Sequence, residues 1–373
     1  MLESAALIRV IAWITNLAEE AVYPSCGNRS GTRRRRSSCW RLVLTWGLAW
    51  IAVGQASVVA FLEWRHPEFL DPKYGCRMIA LRALREEHKD HPLLLALGSS
   101  RAEQGFRPSL LANDPLFYNL ARGGSSPLLY LLTLRRMLAD GIRPNTLLVE
   151  IFPPALVEDE ESAVIYKPTL RDLPLLRRYP ISGRTWAFWL QDRLLLWYKY
   201  RSGFLAWAAP TWLPPQARWG EHLWDYRGGE WRAIGEYVSY QERRRLTDDA
   251  HRRYAHSLNH FRIVADADRA LRELLDICRS QRIGVVLFLM PEAREFRGWY
   301  PSEARRQLSD YLTALRQEHG VPLIDARSWI EDYEFSDGHH LLSRGAAAFT
   351  RRFAGEVLSV LDCGTLVRQR RTP

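Results

Sequence analysis

The chain has 373 residues, of which 47% are apolar, 25% charged and 12% aromatic, a composition that excludes disordered, collagen-like and coiled-coil proteins. Lys and Arg total 52 against 42 Asp and Glu, a formal charge of +10. The excess is local, in the run Arg33, Arg34, Arg35, Arg36 and in the tail Arg368, Arg370, Arg371, so it does not argue for nucleic acid. Cys26, Cys39, Cys76, Cys278 and Cys363 show no CxxC spacing, which supports neither a disulfide framework nor a zinc ribbon. A bridge from Cys76 to Cys278 or Cys363 stays open.

Residues 1–38 are expected to be a cytoplasmic segment. Ala5 to Leu17 could form an amphipathic helix, or the stretch could be an extension from an over-called start codon. Leu42 to Leu62 carries no charge and as a helix would extend roughly 30 Å. It is expected to be a transmembrane anchor within 39–64, with Trp40 and Trp64 at its interfaces. Arg33 to Arg36 and Arg41 precede it, so the positive-inside bias puts the N-terminus in the cytoplasm and the rest outside. A cleaved signal peptide is the alternative, but the apolar run is longer than the usual h-region and has no clear small-x-small site.

Beyond the anchor, short apolar runs alternate with helical periodicity, the pattern of stacked βα units and a parallel sheet. Arg77 to Lys89 reads as a helix, Leu93 to Leu97 as a buried strand, Phe117 to Ala121 as a second strand and Pro127 to Ala139 as a helix. Thr146 to Ile151 is a third strand, stopped by Pro153 and Pro154. The pattern lapses for about a hundred residues and returns with a helix at Ala265 to Gln281. A strand at Gly284 to Leu289, a helix at Glu303 to Glu318, a short strand at Pro322 to Asp325 and a helix at Ser343 to Leu361 follow. The expectation is a three-layer α/β/α sandwich, flavodoxin-like, on a five-stranded parallel sheet. Its halves are 77–154 and 263–362, split by an insertion at 155–262 and followed by a basic tail at 363–373.

In such sheets ligands bind beyond the carboxyl ends of the strands, and polar clusters fall there. Ser99 and Ser100 follow the first strand, Gly123 and Gly124 the second, and Asp337, His339 and His340 the fifth. A serine nucleophile needs an imidazole base, a carboxylate to orient that base, and preorganised donors for the oxyanion. All are available on one edge. Leu97-Gly98-Ser99-Ser100, Asn119-Leu120-Ala121-Arg122-Gly123-Gly124 and Asp337-Gly338-His339-His340 resemble the first, second and fifth blocks of the SGNH (GDSL-type) hydrolase superfamily. The likeness covers about 90–154 and 280–361. It implies Ser100 as nucleophile, His340 as general base, Asp337 as orienting acid, and the N–H groups of Ser100 and Gly124 as oxyanion donors. The spacing favours His340 over His339.

The third block departs from the superfamily. Where Gly-x-Asn-Asp is usual, the strand ends Glu150-Ile151-Phe152-Pro153-Pro154, and loss of one oxyanion donor costs on the order of 3 kcal/mol of transition-state stabilisation. Glu150 cannot donate when ionised, so Arg101 is the candidate substitute, and Arg101 and Asn119 are candidate substrate contacts. Membrane-tethered members with a Gly-Ser-Ser block include proteins similar to the teichoic-acid D-alanine transfer protein and to alginate-type O-acetyltransferases. That likeness implies an acyl esterase or O-acyltransferase on a cell-envelope glycan, with a multi-pass membrane acyltransferase as partner. Hydrolysis and transfer share the Ser100 acyl-enzyme and stay unseparated.

Eight of the fifteen tryptophans, Trp186, Trp189, Trp197, Trp207, Trp212, Trp219, Trp224 and Trp231, lie in the insertion. They are either the core of a helical cap, or a surface that stacks on sugar or meets a membrane. Trp186, Trp189 and Trp197 are the named substrate-contact candidates, and Leu194 to Tyr200 suits an interfacial helix. His256 and His260 stand four apart without the HExxH glutamate. No metal or cofactor is called for. The rival readings are a weakly active glycan-binding protein or scaffold for a membrane acyltransferase, and a lipase or thioesterase.

Overall fold

The computed structural model describes residues 34–66, 70–111, 114–157, 167–179, 181, 183–213, 224–232 and 235–358. The expectations for residues 1–33 and for the tail 363–373 lie outside the described residues. The chain divides into two compact units, Met1–Gly54 and Gln55–Pro373, each described by itself.

Helix α1, Arg34–Arg65, has no proline, and its leucine, alanine and tryptophan side chains suit a long uninterrupted helix. Leu42, Val43, Leu44, Trp46, Leu48, Trp50 and Ile51 are all exposed. The α1 stretch Leu42–Arg65, 24 residues, is long and apolar enough to cross a membrane.

The larger unit is built on five parallel strands: β1 (Leu93–Leu97), β2 (Leu116–Asn119), β3 (Thr146–Glu150), β6 (Gly284–Leu289) and β7 (Leu323–Asp325). Their order is β2-β1-β3-β6-β7, the doubly wound arrangement whose strand order reverses between β1 and β3. A parallel sheet is covered on both faces, so its strands are continuous apolar runs. LLLAL of β1 and TLLVE of β3 are buried at every position.

Alternate residues feed two cores. Leu93, Leu95, Leu97, Leu147, Val149, Val285 and Leu287 face α2 (Pro72–Glu87), α4 (Pro127–Ala139), α8 (Ala265–Ser280) and α9 (Ser302–His319). Leu94, Ala96, Leu148, Val286 and Phe288 face the short α3 (Ser100–Gly105) and α10 (Ser343–Phe353). Three layers result. The final helix is shorter than the sequence periodicity predicts, giving way at Ala354–Leu358 to a π-helical turn.

Phe106 is the hub of the second core, with ring centroids 5.0, 5.7, 5.2 and 5.2 Å from Phe117, Phe288, Phe349 and Phe353. Phe106→Ala is expected to destabilise the protein by about 3–5 kcal/mol, read as a lowered denaturant midpoint at unchanged slope.

The excursion between β3 and α8 holds helices α5 (Gly183–Leu194), α6 (Leu196–Ala208) and α7 (Tyr240–Asn259) and a small hairpin, β4 (Trp224–Asp225) with β5 (Glu230–Trp231). Trp224 of the hairpin is buried and lies 3.7 Å under the Arg77 guanidinium. It therefore serves as core, whereas the side chains of Trp197 and Trp207 and all of Trp219 lie outside the described residues.

Candidate active site

The carboxyl edge of the sheet at the β1/β3 reversal carries the site. Gly98 ends β1 where the chain passes so close to β3 that a Cβ there would meet Glu150 Oε2 at 2.6 Å and Ala102 Cβ at 2.5 Å. Ser99 then caps α3, its side chain accepting from the Arg101 N–H at 3.3 Å. Ser100 is thereby the first residue of α3, where backbone N–H groups have no intrahelical acceptor.

Ser100 Oγ lies 2.7 Å from His340 Nε2, and His340 Nδ1 lies 2.7 Å from Asp337 Oδ2. Asp337 Oδ1 accepts the backbone N–H groups of His339 (3.1 Å) and His340 (2.8 Å). The carboxylate thus fixes both the turn and the ring. Burial opposes ionisation of Asp337, but its electrostatic interaction with the His340 and His339 rings and the hydrogen bonds it accepts outweigh that and hold it well below the usual carboxylate range. An ionised Asp337 keeps the Nδ1 proton on His340 and leaves Nε2 able to accept from the serine hydroxyl.

His339 plays a different part. Its ring is stacked with Phe296 at 5.1 Å and lies edge-on to Tyr254 at 5.3 Å, and neither ring nitrogen has a hydrogen-bond partner. Burial, with the neighbouring His340 charge, pushes its pKa well below the ordinary histidine value. The unfolded chain therefore takes up this proton before the folded one does. Stability falls as pH drops below about 6.5, by up to about 1.4 kcal/mol per pH unit for this group. His339→Phe is expected to remove that part of the acid-side loss, which urea titrations at pH 7.5 and 5.5 would show as a smaller difference between the two pH values than in the wild type.

Two buried ionic clusters hold the edge in place. Glu150 accepts the Ser99 N–H at 2.5 Å. Arg101 runs beneath it, its Nε 3.9 Å from Glu150 and its Nη1 3.2 Å from Glu292. Arg101 Nη2 donates to the carbonyls of Met290 and Pro291 at 2.9 and 3.0 Å. Burial pushes the Glu150 and Glu292 carboxyls up, against the pull of the Arg101 guanidinium on both and of Arg327 on Glu292. In the second cluster Glu103 takes Arg77 on one oxygen (2.6 Å) and the Gly123 N–H on the other (2.8 Å). Gly124, at φ +74°, follows directly, in a conformation natural to glycine.

These placements correct part of the sequence reading. Arg101 is buried beneath the serine, its Nη2 donating to Met290 and Pro291 and its Nη1 facing Glu292, so it is neither a substitute oxyanion donor nor a substrate contact. Asn119 is also buried; its amide donates to Ala102 O at 2.9 Å, and its oxygen accepts from Ala121 N at 3.0 Å. It shapes the second loop instead of meeting substrate. Trp186 and Trp189 pair edge-to-face on α5 and do not line the cleft. At the third block Phe152 lines the cleft and lays its ring 4.9 Å from the Arg101 guanidinium, an apolar lid on the ion cluster where a polar donor was sought.

The cleft around Ser100, about 270 Å3, has a wall the motifs gave no hint of. Leu246, Asp249, Ala250, Arg253 and Tyr254 of α7 line it together with Ser99, Gly124, Ser125 and the His340 turn. The signal was the spacing: these five positions recur three and four apart, one face of a helix. Among the described residues, the grouping of potential metal-ligating side chains is Asp337, His339 and His340. Its carboxylate and the His340 nitrogens are already taken up in the contacts with Ser100 and the turn. His256 of α7 and His260, just past its end, pack ring to ring at 4.5 Å.

A protein-family model matches residues 239–362, less than half of the chain. No curated protein matches. Among solved structures, a proposed acylhydrolase from Bacteroides fragilis NCTC 9343 aligns at 11% identity with a TM-score of 0.34, covering 75% of this chain and 97% of that chain.

Proposed function

We propose that this is a serine esterase or O-acyltransferase of SGNH type, anchored by α1 with its catalytic unit outside the cytoplasm, acting on acyl groups of a cell-envelope polysaccharide. The observation that carries the reading is the unbroken line Ser100 Oγ, His340, Asp337, at 2.7 Å per step. His340 takes the Ser100 proton as Oγ attacks the acyl carbonyl. The oxyanion is received by the N–H groups of Ser100 and Gly124, and the same imidazole returns the proton to the leaving oxygen. Water or a sugar hydroxyl then releases the acyl group. The preceding run Arg33 to Arg36 puts the N-terminus inside and the cleft outside.

One observation favours the weaker-catalyst reading. Phe152 stands where a third oxyanion donor would be, so the binding or scaffold role for a membrane acyltransferase is the second reading. Full-length protein in detergent, given p-nitrophenyl acetate and measured by intact mass, separates the two. The enzyme reading expects nitrophenol release and an acetyl adduct in the wild type, and neither in Ser100→Ala. Absence of both in the wild type, with added oligosaccharide as acceptor, sinks it.

A further inference from the structure

The part of α1 that belongs to the larger unit, Gln55 to Arg65, is clasped by α5 and α6 in two places of opposite chemistry. At its polar end Glu63 is buried, taking Arg193 of α5 at 2.7 Å and the Leu170 N–H at 2.7 Å. Arg193 and the Trp189 indole both donate to the Pro168 carbonyl, at 2.7 and 3.0 Å. Further back along the helix Val59 and Leu62 pack with Leu196 and Tyr200 of α6. Gln55 Nε2 then donates to the carbonyl of Leu194 at 3.0 Å, at the break between α5 and α6.

Gln55 lies eight residues behind Glu63, about 12 Å along the helix axis. It is also well inside the uncharged run that ends at Leu62. If α1 crosses the bilayer, the elbow between α5 and α6 is held below the polar boundary, level with acyl chains. Its leucines suit that depth, with Gln191 and Asp192 on the remaining face. Among the described residues Leu190, Leu194 and Leu195 are 52%, 62% and 44% exposed, whereas the charged Arg193 turns toward Glu63. A chain break in hydrocarbon must satisfy its carbonyls within the protein, and Gln55, a polar side chain in the apolar run, does this for Leu194.

We infer that the α5–α6 elbow is a re-entrant hairpin inserted into the outer leaflet beside the spanning helix, with Leu190, Leu194 and Leu195 in contact with lipid acyl chains. This rests on the reading of α1 as a membrane span. The occupant of the exposed leucine face is lipid because the face is tied by a hydrogen bond to a residue at acyl-chain depth.

The test uses the full chain reconstituted into phosphatidylcholine/phosphatidylglycerol vesicles doped with a phosphatidylcholine carrying a diazirine in its acyl chain. Irradiation and peptide mapping should place lipid adducts on residues 188–196 at a yield within about threefold of that on 42–54. Tyr237 and Tyr240, exposed but outside the hairpin, should be unlabelled. Adducts on α1 with none on 188–196 overturn the hairpin and leave the anchor standing. Adducts on neither segment show that the anchor reading itself has failed. With a diazirine amino acid placed at position 194 or 195 and irradiated in native membranes, cross-links to protein and none to lipid would overturn the inference in favour of a membrane-protein partner.

Discussion

Asp337→Asn is expected to cut the rate of acyl transfer to p-nitrophenyl acetate by about four orders of magnitude while leaving the α/β unit folded. The amide can still offer an oxygen to the backbone N–H groups of His339 and His340, which now both meet Asp337 Oδ1. It cannot offer a second acceptor to His340 Nδ1, so the ring is driven to the tautomer that carries its proton on Nε2, facing Ser100. The serine then has no base. Stability gives a second readout with a definite sign. Asp337 is held below its unfolded pKa, so its ionised form stabilises the folded state above about pH 4, and that contribution is lost as pH falls through the folded value. Wild type should exceed Asp337→Asn in urea midpoint at pH 7, and the gap should shrink on acidification below pH 4. A neutral-pH rate within tenfold of wild type would remove Asp337 from the catalytic assignment.

The larger effect on stability belongs to Arg101. Truncating it to Ala leaves Glu150 and Glu292 buried beside each other's cluster without their shared cation, and removing one partner of a buried ionic group costs about 3–5 kcal/mol. Arg101→Ala is therefore expected to lower the urea midpoint by the equivalent of that free energy. Activity should fall with it, because Glu150 holds the Ser99 N–H next to the nucleophile. The triple variant Arg101→Met, Glu150→Gln, Glu292→Gln removes the charges together and should recover much of the stability. Recovery of the fold without recovery of rate would show that Glu150 positions the serine turn. A midpoint for Arg101→Ala within 1 kcal/mol of wild type would mean that the cluster contributes little.

What the sequence made legible follows from where its signals are local. Strands buried on both faces are continuous apolar runs, so LLLAL and GVVLFL could be placed to within a residue or so, and their alternation with amphipathic helices specified the parallel sheet. The serine, the histidine and the aspartate could be named because each sits in a short motif at a strand end. Arg101 was misplaced because adjacency in sequence was taken for adjacency in direction. A helix turns successive side chains by about 100°, so the residue after the nucleophile points into the protein, toward Glu292, a partner that no spacing rule connects to it. The α7 wall was missed for a related reason. Leu246, Ala250 and Tyr254 lie in the insertion where no element was assigned, and only tertiary packing reveals that their face of α7 meets a cleft as well as a core. The tryptophans misled by abundance: Trp224 is buried against Arg77, and Trp189 is bonded to Pro168 beside α1.

The separation of Ser100 from His340 by 240 residues has a consequence for the life of the chain before it is folded. The α1 segment is made before Ser100, but the imidazole that lies 2.7 Å from the Ser100 hydroxyl is made 240 residues later. Glu292, which secures Arg101 beneath the serine turn, also comes late. Until then the nascent polypeptide carries a serine with no imidazole beside it. On the proposed function, the hydroxyl gains its base only once the two halves of the sheet have come together.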